Sequence, residues 1–201
     1  MALKKDQIID EALQLLKEDG LEGVTLRKLA KRLAVQPSAL YWHFKNKEIL
    51  INEMAESILQ KEFPNIEEQE KGETWQERLL DIFRRLRKAL LSYTDAGRIV
   101  ASSQASSMMA SITEMGIKIL INEGISLHKS RLIVLTATKY TFGYVIEEQI
   151  APSPESFQHF DLEAFKMEHP LMVKGIEEYF ASGRTVDDNF NDGLKIILGF
   201  E

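Results

Sequence analysis

At 201 residues the chain can form one large domain, or a small one joined to a larger one. Hydrophobic residues make up 44% and charged residues 28%, the balance of a soluble globular protein. No apolar run approaches the ~18–20 residues a membrane span requires, and the absence of cysteine excludes a disulfide framework, a thiolate zinc site and a cysteine nucleophile. The net charge is −6, yet Thr25–Lys47 carries six Lys/Arg and no Asp or Glu. Residues 1–47 hold nine basic and six acidic side chains, which leaves −9 for residues 48–201. Positive charge gathered on an acidic chain is the electrostatic footprint of a phosphate-binding surface.

The N-terminus, MALKKDQIIDEAL, mixes acids into its apolar residues and has no signal-peptide core, so a cytoplasmic location is expected. Ile8, Ile9, Ala12, Leu13, Leu15 and Leu16 give a helical stripe over residues 5–18, ended by Asp19-Gly20, where glycine suits a left-handed position. Thr25 can cap a second helix. Its Leu26, Leu29, Ala30 and Leu33 face a core, with Arg27, Lys28, Lys31 and Arg32 opposite. After the Ala34-Val35 turn, Pro37 suits a first helical position, so a short third helix is expected over residues 37–44, anchored by Leu40 and Phe44. Asn46 can cap a fourth helix over residues 47–62, with Glu48 at its positive end.

Residues 62–73 (EFPNIEEQEKGE) form an acidic, breaker-containing link. Beyond it helical patterns cover residues 74–93, 96–101, 106–123, 127–150, 165–182 and 186–199. Residues 151–162 carry two prolines and are expected to be a loop. The fold class is therefore all-α: a three-helix helix-turn-helix head over residues 1–47, helix 47–62 as connector, and a larger body over residues 63–201.

A two-turn helix held by a preceding helix across a tight turn can place its N-terminal end in the major groove. Gln36, Ser38 and Ala39 sit there; Gln can pair with adenine and Ala39 can touch a thymine methyl. Arg27 could reach guanine or phosphate, while Tyr41, Trp42, His43 and Lys47 suit phosphate and sugar contacts that fix register. Thr25, Lys28 and Pro37 complete the expected DNA-contacting set. Taken alone, the Arg27–Arg32 charges could be a solvated helix face; the acid-free window and outward aromatics favour DNA. A basic patch can also sit on anionic membrane, but Leu26, Leu29 and Leu33 are needed for the head's own core.

The string T-L-R-K-L-A-x-x-L-x-V followed by L-Y-W-H-F-K-N-K resembles the TetR family of bacterial transcriptional repressors. E-T-W-Q at 73–76, A-L-L-S-Y-x-D at 89–95, E-G-I-S-L at 123–127 and T-F-G-Y-V-I-E-E-Q at 141–149 resemble its tetracycline-repressor branch. The resemblance implies a homodimer with DNA-binding heads and an effector pocket in each helical body. That branch chelates a magnesium–tetracycline complex. At its ligand positions this chain has Phe63, Ile82 and Val100 for His, Asn and a metal-binding His, Lys139 for another His, Gly116 for Gln and Ser103 for Thr, while Glu147 is kept. An isopropyl group cannot ligate a metal. A largely apolar effector is expected, with no metal and no cofactor.

Between Arg131 and Glu147 the only charge is Lys139, so this helix should be buried on more than one side. With Val186, Phe190, Leu194, Ile197 and Leu198 of the last helix, it could build an intersubunit four-helix bundle or simply lie in a core. The expected effector site is Phe63, Ile82, Leu86, Val100, Ser103, Met115, Ile119, Lys139, Phe142 and Glu147, though each alone could equally be core. Lys139 and Glu147, charges on an apolar helix, need partners; an effector could be one, and a structural salt bridge is the equal alternative.

In the expected mechanism the effector-free dimer holds its heads at operator spacing, ~34 Å, and effector binding moves the fourth helix. The four histidines (His43, His128, His159, His169) are scattered, and neither a phosphate-cradling glycine loop nor a nucleophile elbow appears, so no enzyme is expected. The alternative is a helical ligand-binding or interaction module without specific DNA recognition. Effector identity, operator, regulated genes, repressor-versus-activator sign and whether any metal accompanies the effector stay open.

Overall fold

The computed structural model describes residues 3–64, 74–103, 106–150 and 160–200, which hold eleven α-helices and no strand. The head comprises α1 (Lys5–Gly23), α2 (Leu26–Arg32) and α3 (Pro37–Tyr41), with α4 (Lys47–Glu62) leading out of it. Each boundary has a local cause. Gly20, at φ 66°, kinks α1 near the position expected to end it, and the chain then makes a last short turn to Gly23. Thr25 Oγ accepts the Lys28 N–H at 3.2 Å, and Asn46 Oδ1 accepts the Ile49 N–H at 2.9 Å. The third helix is shorter than expected because the amides of His43 and Phe44 both donate to Leu40 O, closing the chain into a turn.

The body comprises α5 (Trp75–Leu91), α6 (Ala96–Ser102), α7 (Ser107–Asn122), α8 (Leu127–Gln149), α9 (Leu162–Glu168), α10 (Pro170–Ala181) and α11 (Val186–Leu198). The segment expected as one helix over residues 165–182 is two. Pro170 has no N–H to donate backward and takes a first helical position, so His169 (φ −126°) ends one helix and precedes the next. The expected link over 62–73 and loop over 151–162 fall mostly on residues 65–73 and 151–159, outside the described residues.

One apolar core runs from head to body. In the head, Ile8, Ala12, Leu13 and Leu16 of α1 meet Leu29 and Ala30 of α2, Leu40 of α3 and Phe44. Leu50, Met54, Ile58 and Leu59 continue it along α4 to Leu79, Phe83 and Leu86 of α5. Helix α5 packs against α4, α7, α8 and α11, and α6 fills the corner between α4, α5 and α8. No residue of α9 or α10 is buried. No helix among the described residues is long and apolar enough to cross a membrane.

Across α5, α8 and α11 the packing is tied by one half-buried cation. Arg87 donates to Glu148 through Nε (2.9 Å) and Nη2 (2.6 Å), and Nη2 also reaches Asp187 at 2.7 Å. Its guanidinium lies 4.9 Å from the Phe190 ring centroid and 5.8 Å from that of Tyr144. The hydrogen bond to Glu148, above all, holds Arg87 protonated well beyond its ordinary range. Tyr140 and Tyr144 flank the cluster and donate their hydroxyls to backbone carbonyls of α11, at Phe190 and Val186.

Candidate functional site

The head builds its outward face by anchoring the opposite one. The turn after α2 closes with Val35 N–H on Ala30 O at 3.0 Å and Ala34 N–H on Lys31 O at 3.2 Å. This geometry puts Ala34 in the left-handed region at φ 53°, a strain accepted to turn the chain sharply. Pro37 then opens α3, and Gln36 sits at the N-cap without using its side chain for capping, so its amide stays available to a base. Leu40 and Phe44 are fully buried. They hold α3 so that Gln36, Pro37, Ser38 and His43 are exposed, Tyr41 is 53% exposed and Trp42 is 87% exposed. Ala39 is half-buried.

The basic island divides into structural and available cations. Arg32 is spoken for: it bonds Glu18 and Glu11, each at 2.5 Å, and the Glu18 bond chiefly raises its pKa above the usual arginine range. It holds α2 against α1. Lys28 leans on Asp19 at 3.3 Å, and Lys47 Nζ donates to Leu21 O at 3.3 Å. Among the described residues Arg27, Lys31 and Lys45 are exposed and lack an acidic partner. Thr25 is the α2 cap, with its hydroxyl proton left to donate outward.

The expected effector residues separate into two groups. Phe63, Ile82, Leu86, Val100, Ile119 and Phe142 are buried in one cluster, with Met115 packed against it. Ser103 joins them at the end of α6, its N–H on Val100 O at 3.3 Å and its Oγ buried without a hydrogen-bond partner among the described residues. Lys139 and Glu147 do not join. Both are exposed on α8, whose buried positions are taken by Val134, Ala137, Thr141 and Val145. Nor do they pair with each other, being two helical turns apart.

A magnesium chelate does not fit this site. The side chains of Phe63, Ile82 and Val100 are buried hydrocarbon, and one serine hydroxyl is a poor ligand set for a divalent ion. Gly116 sits close against α8, since a Cβ there would lie 3.1 Å from Val134 Cγ2 and press that side chain aside. Among the described residues no group of three or more His, Asp or Glu could hold a metal.

Two contacts joining head and body are absent from the sequence reading. Asp95, at φ 58° before α6, accepts the Leu21 N–H on Oδ2 at 2.9 Å and the Arg98 guanidinium on Oδ1 at 3.3 Å. Glu56 of α4 accepts the Met108 N–H at the start of α7, at 3.1 Å. Their partners lie 74 and 52 residues away in sequence, so no local pattern could reveal them.

Comparison with known proteins places this architecture. Residues 8–54 match the family described as "Bacterial regulatory proteins, tetR family", and residues 68–199 match "Tetracyclin repressor-like, C-terminal domain". The tetracycline repressor protein class A from transposon 1721 of Escherichia coli is 32% identical over 196 residues, covering 98% of this chain and 89% of its own length. A TetR variant from Acinetobacter baumannii in complex with minocycline superposes with a TM-score of 0.74 at 30% identity, covering 98% of this chain and 95% of that one. BioQ with its double-stranded DNA operator superposes at 0.66, also 30% identical, covering 86% and 97%. The chain belongs to the tetR family of bacterial regulatory proteins.

Proposed function

We propose that the protein is a ligand-responsive, DNA-binding transcriptional regulator that acts as a homodimer and represses from a palindromic operator until a small molecule releases it. Residues 1–47 form the DNA-binding head, α4 the connector and residues 63–201 the effector-binding and dimerisation body. The observation that carries the DNA reading is the recognition face: Trp42 and Tyr41 stand in solvent beside Gln36, Ser38 and unpaired cations, while the same short helix is pinned by Leu40 and Phe44. Exposed aromatics of this size on a small head call for a partner. DNA supplies sugar and phosphate for the aromatics and lysines, and base edges for Gln36 and Ser38. BioQ, a relative of the same fold, is bound to a DNA operator, which supports the assignment.

The effector is largely apolar and is not a magnesium–tetracycline chelate. The supporting observation is the hydrocarbon lining at Phe63, Ile82 and Val100, with Ser103 Oγ as the one polar group looking for a partner. Lys139 and Glu147 stand outside this site. The effector acts through α6 and α4: Asp95 at the start of α6 holds the head at Leu21, and Glu56 ties α4 to α7. A ligand that binds the two arrangements unequally, by about 1–3 kcal/mol, suffices to shift operator affinity five- to a hundredfold. A regulator of this kind works in the cytoplasm and carries out no catalysis.

Selecting random DNA duplexes with the purified protein at fixed, near-physiological salt tests the reading. The expected result is an enriched palindrome with half-sites about one helical turn apart, ~34 Å. A flat pool, or binding that does not weaken as salt rises, refutes it in favour of a helical ligand-binding module.

A further inference from the structure

Where the start of α6 meets the end of α8, five residues line a surface cavity of about 270 Å³: Asp95, Arg98, Ile146, Gln149 and Ile150. Its walls are held from behind. Gln149 donates through Nε2 to Leu90 O at 3.0 Å and Tyr93 O at 2.8 Å, which fixes the end of α8 on the corner between α5 and α6. Gly97 brings α6 and α8 together, since a Cβ there would lie 3.3 Å from Val145 Cγ1 and 3.4 Å from Ile146 Cγ1. On this frame the cavity has two chemically distinct ends. One is Arg98, whose side chain is 52% exposed and which is engaged through Nη1, by Asp95 Oδ1 at 3.3 Å. Its Nε and Nη2 form an edge that takes a carboxylate in two parallel hydrogen bonds, and that edge has no partner among the described residues. The other end is hydrocarbon: Ile146 and Ile150, one helical turn apart, with Ile150 64% exposed at the end of α8.

We propose that this cavity is a second small-molecule site, separate from the buried effector cluster, and that it takes a small amphipathic carboxylate. The acid sits on the free edge of Arg98 and the hydrocarbon chain runs over Ile146 and Ile150. Neither end suffices alone. An exposed arginine by itself holds a carboxylate weakly, because water screens the pair; an adjoining apolar wall adds affinity with each methylene it covers. A wall already fixed by Gln149 and Gly97 costs little ordering on binding. The volume suits a chain of modest length, below the ~300 Å³ at which drug-sized pockets begin. A cationic ligand is disfavoured, because Asp95, the one acid of the lining, has both oxygens occupied: Oδ2 by the Leu21 N–H at 2.9 Å and Oδ1 by Arg98.

That occupation gives the site a route to the head. Asp95 holds Leu21 from a left-handed backbone at φ 58°. A carboxylate bound to Arg98 competes for the guanidinium and places a second negative charge beside Asp95. The tether loosens, and with it the preorganisation of the head for its operator. This coupling rests on the regulator reading; the binding site does not.

Isothermal titration of the purified chain with octanoate tests the site. The expected result is one saturable site that octanamide, the uncharged analogue, fills about tenfold or more weakly. Arg98→Gln should weaken octanoate by a similar factor, Arg98→Lys by less because a point charge lacks the fork, and Ile150→Ser should weaken it with the charge intact. Circular dichroism checks that each variant is folded. Octanoate that fails to saturate the protein, or that binds Arg98→Gln and Ile150→Ser as it binds wild type, overturns the site. Saturating octanoate should also lower affinity for a selected operator about fivefold or more, read by fluorescence anisotropy. Binding at Arg98 with operator affinity unchanged overturns the coupling. Failure to select any operator overturns the regulator reading and the coupling with it, while the titrations still decide the site.

Discussion

Replacing Arg87 by methionine removes the cation at the centre of the α5–α8–α11 junction while keeping a side chain of similar length. The Arg87 and Glu148 side chains are only 13% and 18% exposed, and two hydrogen bonds of 2.9 and 2.6 Å join them, so the pair is largely shielded from solvent without being fully buried. Asp187, the second partner, is 75% exposed and contributes at most about 1 kcal/mol. Arg87→Met leaves the partly shielded Glu148 carboxylate without its counter-charge, a loss of about 1.5–3 kcal/mol, and also removes the cation stacked on Phe190. The Arg87→Met/Glu148→Met double variant removes both charges and fills the space with apolar atoms. Its expected stability lies within about 1–2 kcal/mol of wild type, on either side. Equilibrium urea unfolding at one fixed protomer concentration measures all four corners of the cycle. A single substitution costing under about 1 kcal/mol, with the double variant merely additive, would refute the reasoning and demote the network to a solvent-screened surface pair.

Trp42→Ala is expected to leave stability within about 0.5 kcal/mol, because the ring is 87% exposed, while weakening operator binding; Lys47→Ala should weaken binding across sequences and lower the salt slope by about one. Both are read by fluorescence anisotropy at several salt concentrations, and unchanged affinity in both would remove the segment from Trp42 to Lys47 from the DNA interface. Gly193→Ala should destabilise by about 1–3 kcal/mol despite the better helix propensity of alanine, since its Cβ would fall 2.2 Å from the Tyr140 hydroxyl; thermal unfolding reads the sign, and a gain would mean the ring moves aside freely. Burial, reinforced by Tyr144, pushes the Tyr140 hydroxyl up to about 12. Unfolded tyrosine loses its proton near pH 10, so the unfolded state binds fewer protons between about pH 10 and 12 and stability falls as pH rises through that window. Wild type should therefore lose stability across it more steeply than Tyr140→Phe, and parallel curves would contradict the assignment.

The head was legible in the sequence because its boundaries are set by bonds that close within four residues. Thr25, Asn46 and Pro37 each act on amides of their own turn, and α4 begins and ends where its cap and its breaker put it. The leucine spacing of α2 likewise leaves one face for the core and one for cations, whatever the neighbours are. What the sequence could not carry is which face of a nearly uniform apolar helix turns inward. On α8 both faces offer leucine, valine and isoleucine, so periodicity gave no direction. Only the packing of α5, α7 and α11 onto it decided that Thr141 and Val145 are buried and that Lys139 and Glu147 stand outside. The same holds for Arg32, whose clamp on Glu11 and Glu18 depends on how α1 and α2 meet. Asp95 on Leu21 and Arg87 on Glu148 are contacts across 74 and 61 residues. Local caps and periods act through short loops and are written in the chain itself; the direction of a face and a distant ion pair exist only once the whole core has chosen its arrangement.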